Sequence, residues 1–153
     1  MASDIIILDA ANLFMGDDDP SNSQHLTLKS AKMPTVEEKT KEHTPGGGFA
    51  DLTLGMRSFS ITPMTFQLEG FNPDAVSRFM PVANRTRYTL RGNTRSLRTS
   101  IDTPIIAVIE GRMTKMEMSE FKKDDGLMTD YEIKEILFFS LHYGTTEKLY
   151  FDI

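Results

Sequence analysis

His25-Leu26-Thr27-Leu28-Lys29 and Phe49-Ala50-Asp51-Leu52-Thr53-Leu54-Gly55-Met56 are two strand-like segments held apart by a long connection. In the first, apolar and polar residues trade places as a half-buried strand requires. Between them run Met33-Pro34-Thr35-Val36-Glu37-Glu38-Lys39-Thr40-Lys41-Glu42-His43-Thr44-Pro45, charged and loop-like, and then Gly46-Gly47-Gly48. Hairpin loops usually take about 2–5 residues, so a connection this long is expected either to be disordered or to touch something. Few of its residues could bury themselves, and a partner chain is the expected contact.

Toward the N-terminus, Ile5-Ile6-Ile7-Leu8 and Leu13-Phe14-Met15 mark a first strand that ends at Gly16. Asp17-Asp18-Asp19-Pro20-Ser21-Asn22-Ser23 then reads as a turn. Three adjacent aspartates invite a calcium reading, but the alternating Asp-x-Asp-x-Asp-Gly order of a calcium loop is missing. A solvated turn is expected.

Toward the C-terminus, Arg57 to Phe71 reads as a kinked strand or strand pair. Phe59 and Ile61 share one parity and Met64, Phe66 and Leu68 the other, with the switch at Thr62-Pro63, where proline marks a bulge or an edge. Asn72-Pro73-Asp74 combines a capping residue, proline at the first helical position and an acid in the first turn. It predicts a short helix carrying Val76, Phe79 and Met80 on one face and stopping at Pro81. Arg85, Arg87, Arg91, Arg95 and Arg98 form a basic patch. With no interleaved aromatic beyond Tyr88, it reads as a solvated strand edge or a salt-bridged subunit contact rather than a phosphate site.

Pro104 to Met118 is the strongest strand, with Ile105-Ile106-Ala107-Val108-Ile109 expected to be buried on both faces and the remainder on one. Glu120 to Asp130 is a polar connection. In the last long strand, Tyr131, Ile133, Leu137, Phe139, Leu141 and Tyr143 line one face and Glu132, Lys134, Ser140 and His142 the other. Gly144-Thr145-Thr146-Glu147 turns into a terminal strand, Lys148-Leu149-Tyr150-Phe151-Asp152-Ile153. The pattern predicts a mainly β protein: an antiparallel sandwich or barrel with one short α-helix and a long inter-strand loop, as one domain over residues 1–153.

Composition closes off several function classes. A length of 153 residues suits one domain with a real core, and 39% hydrophobic with 25% charged residues is ordinary for a globular protein. A formal charge of -5 disfavours a protein that grips nucleic acid through its phosphates. The absence of cysteine excludes disulfides, thiolate metal sites and a cysteine nucleophile. His25, His43 and His142 stand far apart, so no compact histidine metal motif is visible, and no metal or cofactor is expected. The short apolar run at the N-terminus is flanked by acids and does not resemble a signal peptide, and no segment approaches the roughly 18 apolar residues that span a bilayer. A soluble protein made in the cytoplasm is expected. No nucleophile has an activating local setting such as a Gly-x-Ser-x-Gly elbow. Gly46-Gly47-Gly48 runs into a strand and not a helix, so it lacks the setting of a phosphate cradle and reads as a flexible approach to a strand. His142 reads as a surface or interface residue. An enzyme is not expected.

The succession of Asn12-Leu13-Phe14, Leu26-Thr27-Leu28, the charged loop, Gly46-Gly47-Gly48 and Leu52-Thr53-Leu54-Gly55-Met56 resembles the major tail tube protein of contractile-tailed bacteriophages and R-type pyocins. The resemblance continues through the Asn72-Pro73 helix and Ile109-Glu110-Gly111-Arg112-Met113-Thr114-Lys115-Met116-Glu117. It ends at Leu149-Tyr150-Phe151-Asp152-Ile153, where the family pattern leads one to expect further residues. It implies hexameric rings stacked into a hollow tube inside a contractile sheath, with DNA passing through the lumen at ejection without specific binding. Sheath, baseplate, tape-measure and tail terminator proteins are the implied partners beside the chain itself, in a virion assembled in the bacterial cytoplasm. Under that resemblance, Val36, Glu37, Glu38, Lys39, Lys41, Glu42, Gly46, Gly47 and Gly48 are expected at subunit and ring contacts. Thr65, Gln67, Glu69, Glu110, Arg112 and Thr114, polar positions opposite apolar neighbours, are expected to face the lumen. Two alternatives remain: a tube subunit of a DNA-free injection particle or secretion system, and a monomeric β-sandwich binding module.

Overall fold

The computed structural model describes residues 4–16, 23, 24, 27–79 and 85–153. Nine strands and one helix follow one another among these residues. They are β1 (Ile6–Met15), β2 (Leu28–Lys32), β3 (Val36–His43), β4 (Leu52–Ile61), β5 (Met64–Glu69), α1 (Pro73–Phe79), β6 (Thr86–Ser96), β7 (Asp102–Met118), β8 (Met128–Tyr143) and β9 (Thr146–Asp152). Seven strands make one antiparallel sheet in the order β1-β6-β7-β8-β5-β2, with β9 added to β8 beyond the stretch that pairs with β5. The sheet curls until its ends nearly meet. Ser23 bridges to Phe14 and the Gln24 N–H donates to the Leu13 carbonyl at 2.9 Å, so the chain leading to β2 lies along the far edge of β1. Of the sandwich and barrel readings, the nearly closed barrel is the one adopted.

The core fills the inside of this curl. Met64, Phe66 and Leu68 of β5 point inward, as their parity predicts, and meet Leu13, Met15, Tyr88, Ile109, Met113, Tyr131, Ile133 and Phe139. Phe66 stacks on Tyr131 at 5.0 Å between ring centroids and lies 6.2 Å from Tyr88. The α1 start follows the capping pattern: Asn72 Oδ1 accepts from the N–H groups of Asp74 at 3.0 Å and Ala75 at 3.2 Å. Ala75 is the fully buried helix residue, while Val76 and Phe79 are half-buried. The expected Met80 and Pro81 end of the helix and the Asp17–Asn22 part of the turn lie outside the described residues, as do His25 and Leu26. Gly144, at φ 63°, closes the tight β8–β9 turn, a backbone region where the missing Cβ avoids a steric clash.

Several expectations are corrected. Val36 to His43 is not a loop but β3, paired antiparallel with β4 from Val36↔Ile61 to His43↔Leu52. Its charged residues on both faces conceal it, because a strand wet on two sides carries no hydrophobic alternation. The strand expected from Phe49 starts at Leu52, and Gly46 to Gly48 belong to the turn region at the hairpin tip, where the Gly48 N–H donates to the Pro45 carbonyl at 3.2 Å. Pro63 marks neither a bulge nor an edge; with Thr62 it separates the β3–β4 hairpin from the barrel. The arginine-bearing β6 is not an edge strand, since β1 and β7 flank it. The start of β7 is not buried on both faces: Ala107 and Ile109 enter the core, but Ile106 and Val108 on the opposite face are only half-buried. On β8, Ile136 and not Leu137 takes the core position. Three residues, Glu135 to Leu137, stand opposite Gly111, with Glu135 at φ 51°. That bulge fits because position 111 has no Cβ; one added there would lie 2.9 Å from both Ile133 Cγ2 and the Lys134 carbonyl oxygen.

Candidate assembly surface

The β3–β4 hairpin stands apart from the barrel as its own two-stranded sheet. Its base is anchored: Val36 and Ile61 pack against the core, the Thr62 N–H donates to the Thr35 carbonyl at 2.9 Å, and the Thr35 N–H donates to Thr62 Oγ1 at 2.8 Å. At the tip, Thr44 Oγ1 donates to Asp51 Oδ1 at 2.9 Å. Between base and tip the arm is exposed on both faces. It nevertheless carries Phe49, Leu52, Leu54, Met56 and Phe59, all exposed, with Phe49 as open as in an extended chain. Leu52 and Leu54 share one face with their ladder partners His43 and Lys41. A two-stranded ribbon is marginal in water by itself, and side chains of this size each gain about 1.5–3 kcal/mol when covered. The arm therefore presents an exposed apolar surface whose covering would be favourable.

A second exposed apolar run lies at the start of β1, where Ile5, Ile6 and Leu8 join Leu97 and Ile101. Asp4 holds this corner together by accepting from the Ser96 hydroxyl and, at 3.1 Å, from the Arg98 N–H. Sequence reasoning identified Ile5 to Leu8 as strand but not as surface. The available signal was the unbroken apolar run between Asp4 and Asp9, which departs from alternation. Among the described strands of the barrel sheet, β1, β2 and β9 each have a single ladder partner, and Ser23 and Gln24 meet the far edge of β1 at Phe14 and Leu13.

The residues expected on a wet face divide unevenly. Thr65, Gln67 and Glu69 lie on the outer side of β5, opposite its buried parity. Thr65 and Gln67 line a shallow groove with Lys115, Glu117, Asp130 and Glu132. Glu110 and Arg112 stand on the same outer side of β7, paired to Arg87 at 3.8 Å and Glu135 at 3.3 Å. Thr114 departs from them. It occupies a β7 bulge between Met113 and Lys115, and its hydroxyl is buried. The basic patch is largely neutralised, with Arg85 on Glu135 at 3.8 Å and Arg95 on Asp9 at 3.5 Å. Exposed pairs of this kind contribute about 0–1 kcal/mol each, but they cancel the field that would hold a phosphate. Arg87 also lies 5.8 Å from the Phe138 ring centre, and Phe138 meets Tyr150 edge-on.

Titration behaviour follows packing. Burial pushes the Tyr88 phenol up to about 12 and also raises that of Tyr131. The Tyr150 phenol is raised mainly by its hydrogen bond to Asp152, 3.2 Å away. His142 is half-buried with Nε2 3.3 Å from Glu147 Oε2. Among the described residues, no three histidine or acidic side chains converge on a point where a metal could sit, and no helix is long and apolar enough to cross a membrane.

Residues 7–153 match the family described as phage tail tube protein FII. The chain belongs to the phage tail tube protein family. A tail tube protein is a structural component, and the barrel, exposed arm and open strand edges described above are those of this member. Its fold is similar to that of a chain in the cryo-EM structure of the anti-feeding prophage (AFP) baseplate, 6-fold symmetrised. The TM-score is 0.57 at 13% identity, over 91% of this chain and 93% of that one. No curated protein matches this tail tube sequence.

Proposed function

We propose that the chain is the building block of a contractile-tail tube, in which six copies close a ring and rings stack into a hollow conduit for DNA inside a sheath. The observation that carries this reading is the β3–β4 arm. A two-stranded extension that exposes the apolar side chains of β4 to water gains little within its own chain and much on a neighbouring copy. Contact between an arm and a different surface of the next copy is heterologous, which is the kind of contact that generates rings and stacks. Of the arm residues, Glu37, Lys39, Lys41, Glu42, Gly46, Gly47 and Gly48 are assigned to the contact between rings, with Val36 and Glu38 supporting the arm from within its own chain, and the stretch of the β1 edge before Leu13 to the neighbour within a ring. Thr65, Gln67, Glu69, Glu110 and Arg112 are assigned to the lumen. Their outer-face position and charge pairing support that assignment, because a nearly neutral wall gives phosphates nothing to hold. Sheath, baseplate, tape-measure and terminator proteins are the partners such a tube requires, and the virion is where it would reside.

The test is negative-stain electron microscopy of the purified protein with size-exclusion chromatography alongside. Stacked rings with a central hole are expected. A monomer at every concentration that also fails to extend on a baseplate seed overturns the reading in favour of a binding module. A second reading, a tube in a particle that carries no DNA, draws on the fold neighbour in the anti-feeding prophage baseplate; nucleic acid extracted from intact particles separates the two.

A further inference from the structure

The ladder of the arm is interrupted by a bulge at one place, and the bulge has a specific chemical support. Between the pairs Glu38↔Phe59 and Thr40↔Gly55, Lys39 alone faces Met56, Arg57 and Ser58. Arg57 adopts φ 58°, a left-handed conformation that a residue with a long side chain enters only when held there. What holds it is the Glu38 carboxylate, whose Oε1 accepts from the Arg57 N–H at 2.9 Å. Gly55 makes room for that carboxylate: a Cβ at position 55 would lie 2.7 Å from Glu38 Oε1 and 3.0 Å from its Cδ. Bulge, left-handed residue, missing Cβ and buttressing acid all meet at one joint. On the barrel side of the joint Val36 and Ile61 are packed; on the far side the tip is in water.

We propose that Glu38 is a positioning residue that latches this bulge and so sets the direction in which the arm tip leaves the barrel. The proposal rests on the reading of the arm as the contact with the next copy, and deepens it: Glu38 acts on its own chain rather than on the neighbour. A carboxylate bond to a backbone N–H is of the stronger kind. Without it the ladder can slip into a straighter register, and the same apolar tip then points elsewhere.

The experiment compares Glu38→Ala, Glu38→Gln, Gly55→Ala and the double variant Glu38→Ala with Arg57→Gly. Two readouts are taken: amide exchange at Arg57 and in β5 and β8 of the unassembled protein, and the concentration at which tubes form. Glu38→Ala and Gly55→Ala should each speed Arg57 exchange about tenfold and raise the assembly concentration about tenfold, with β5 and β8 exchange unchanged. Glu38→Gln, which keeps an acceptor oxygen, should stay near wild type. The double variant should regain assembly, because glycine enters the left-handed region without a carboxylate to hold it. Arg57 exchange unaltered by Glu38→Ala overturns the latch whatever the assembly result. Faster exchange with assembly at the wild-type concentration overturns the positioning role. A wild-type protein that never assembles defeats the arm-contact reading, and with it the positioning role, while the exchange data still decide the latch.

Discussion

β4 and β5 are joined by only Thr62 and Pro63, yet they live in different environments. In β5, every second residue is buried, its partner strand β8 is itself backed by β7, and Phe66 stacks within the core. In β4, eight consecutive residues from Leu52 to Phe59 are exposed, although apolar residues recur in it just as often. The difference teaches that apolar content does not by itself place a strand in a core. β5 finds its covering surface in its own chain; β4 finds one only for Ile61 at its base, and none from Leu52 to Phe59 within the described residues. The barrel covers its apolar residues within the chain, and the arm leaves most of its own in water.

That contrast can be broken from the barrel side first. Gly111→Ala should cost about 3 kcal/mol, because its Cβ has no space against Ile133 and the β8 backbone. Chemical denaturation checks it, and a cost near zero would mean that the β8 bulge is not a fixed part of the wall. The buried Tyr88 phenol sharpens the picture by pH. Its value in the folded protein lies above the ordinary 10.0, so its contribution is fully present below pH 10 and is lost as pH rises toward 12. The loss should reach on the order of 2 kcal/mol. Unfolding midpoints of wild type and Tyr88→Phe, followed from pH 9 to 12, should diverge in that window, with the variant the flatter of the two. Asn72→Ala removes the α1 cap and should cost about 1 kcal/mol in the same assay.

The smallest expected effect on stability is the most informative about the arm. Leu52→Ser with Leu54→Ser should alter barrel unfolding by less than about 0.5 kcal/mol, as exposed substitutions do, while abolishing the proposed assembly. Sedimentation and electron microscopy on the same sample check both halves. A large loss of stability would place these leucines in the folded core of the single chain. Assembly that survived would move the contact elsewhere, with the β1 edge the next surface to test.

Period-two alternation made most barrel strands legible in the sequence: β5, much of β7 and β8, and the parity of their buried residues. Local chemistry made α1 legible, since Asn72-Pro73-Asp74 states a helix start without help from distant residues. The family was readable from the order of weak motifs along the chain. What alternation could not give is what covers an apolar residue. Ile5 to Leu8 and Leu52 to Met56 look like core because apolarity records only that a surface avoids water, not whose atoms cover it. Nor could the sequence announce β3, whose eight residues have two wet faces and become a strand only because β4 completes their ladder. Ile136 displaced Leu137 for a related reason. A bulge depends on what stands across from it, and Gly111 lies far away in the chain. Periodicity along the sequence thus determined which strands the barrel contains and which of their faces are apolar. Pairing between distant segments, through hydrogen bonds and sterics that no local pattern encodes, decided where the register breaks and which apolar surfaces are left uncovered.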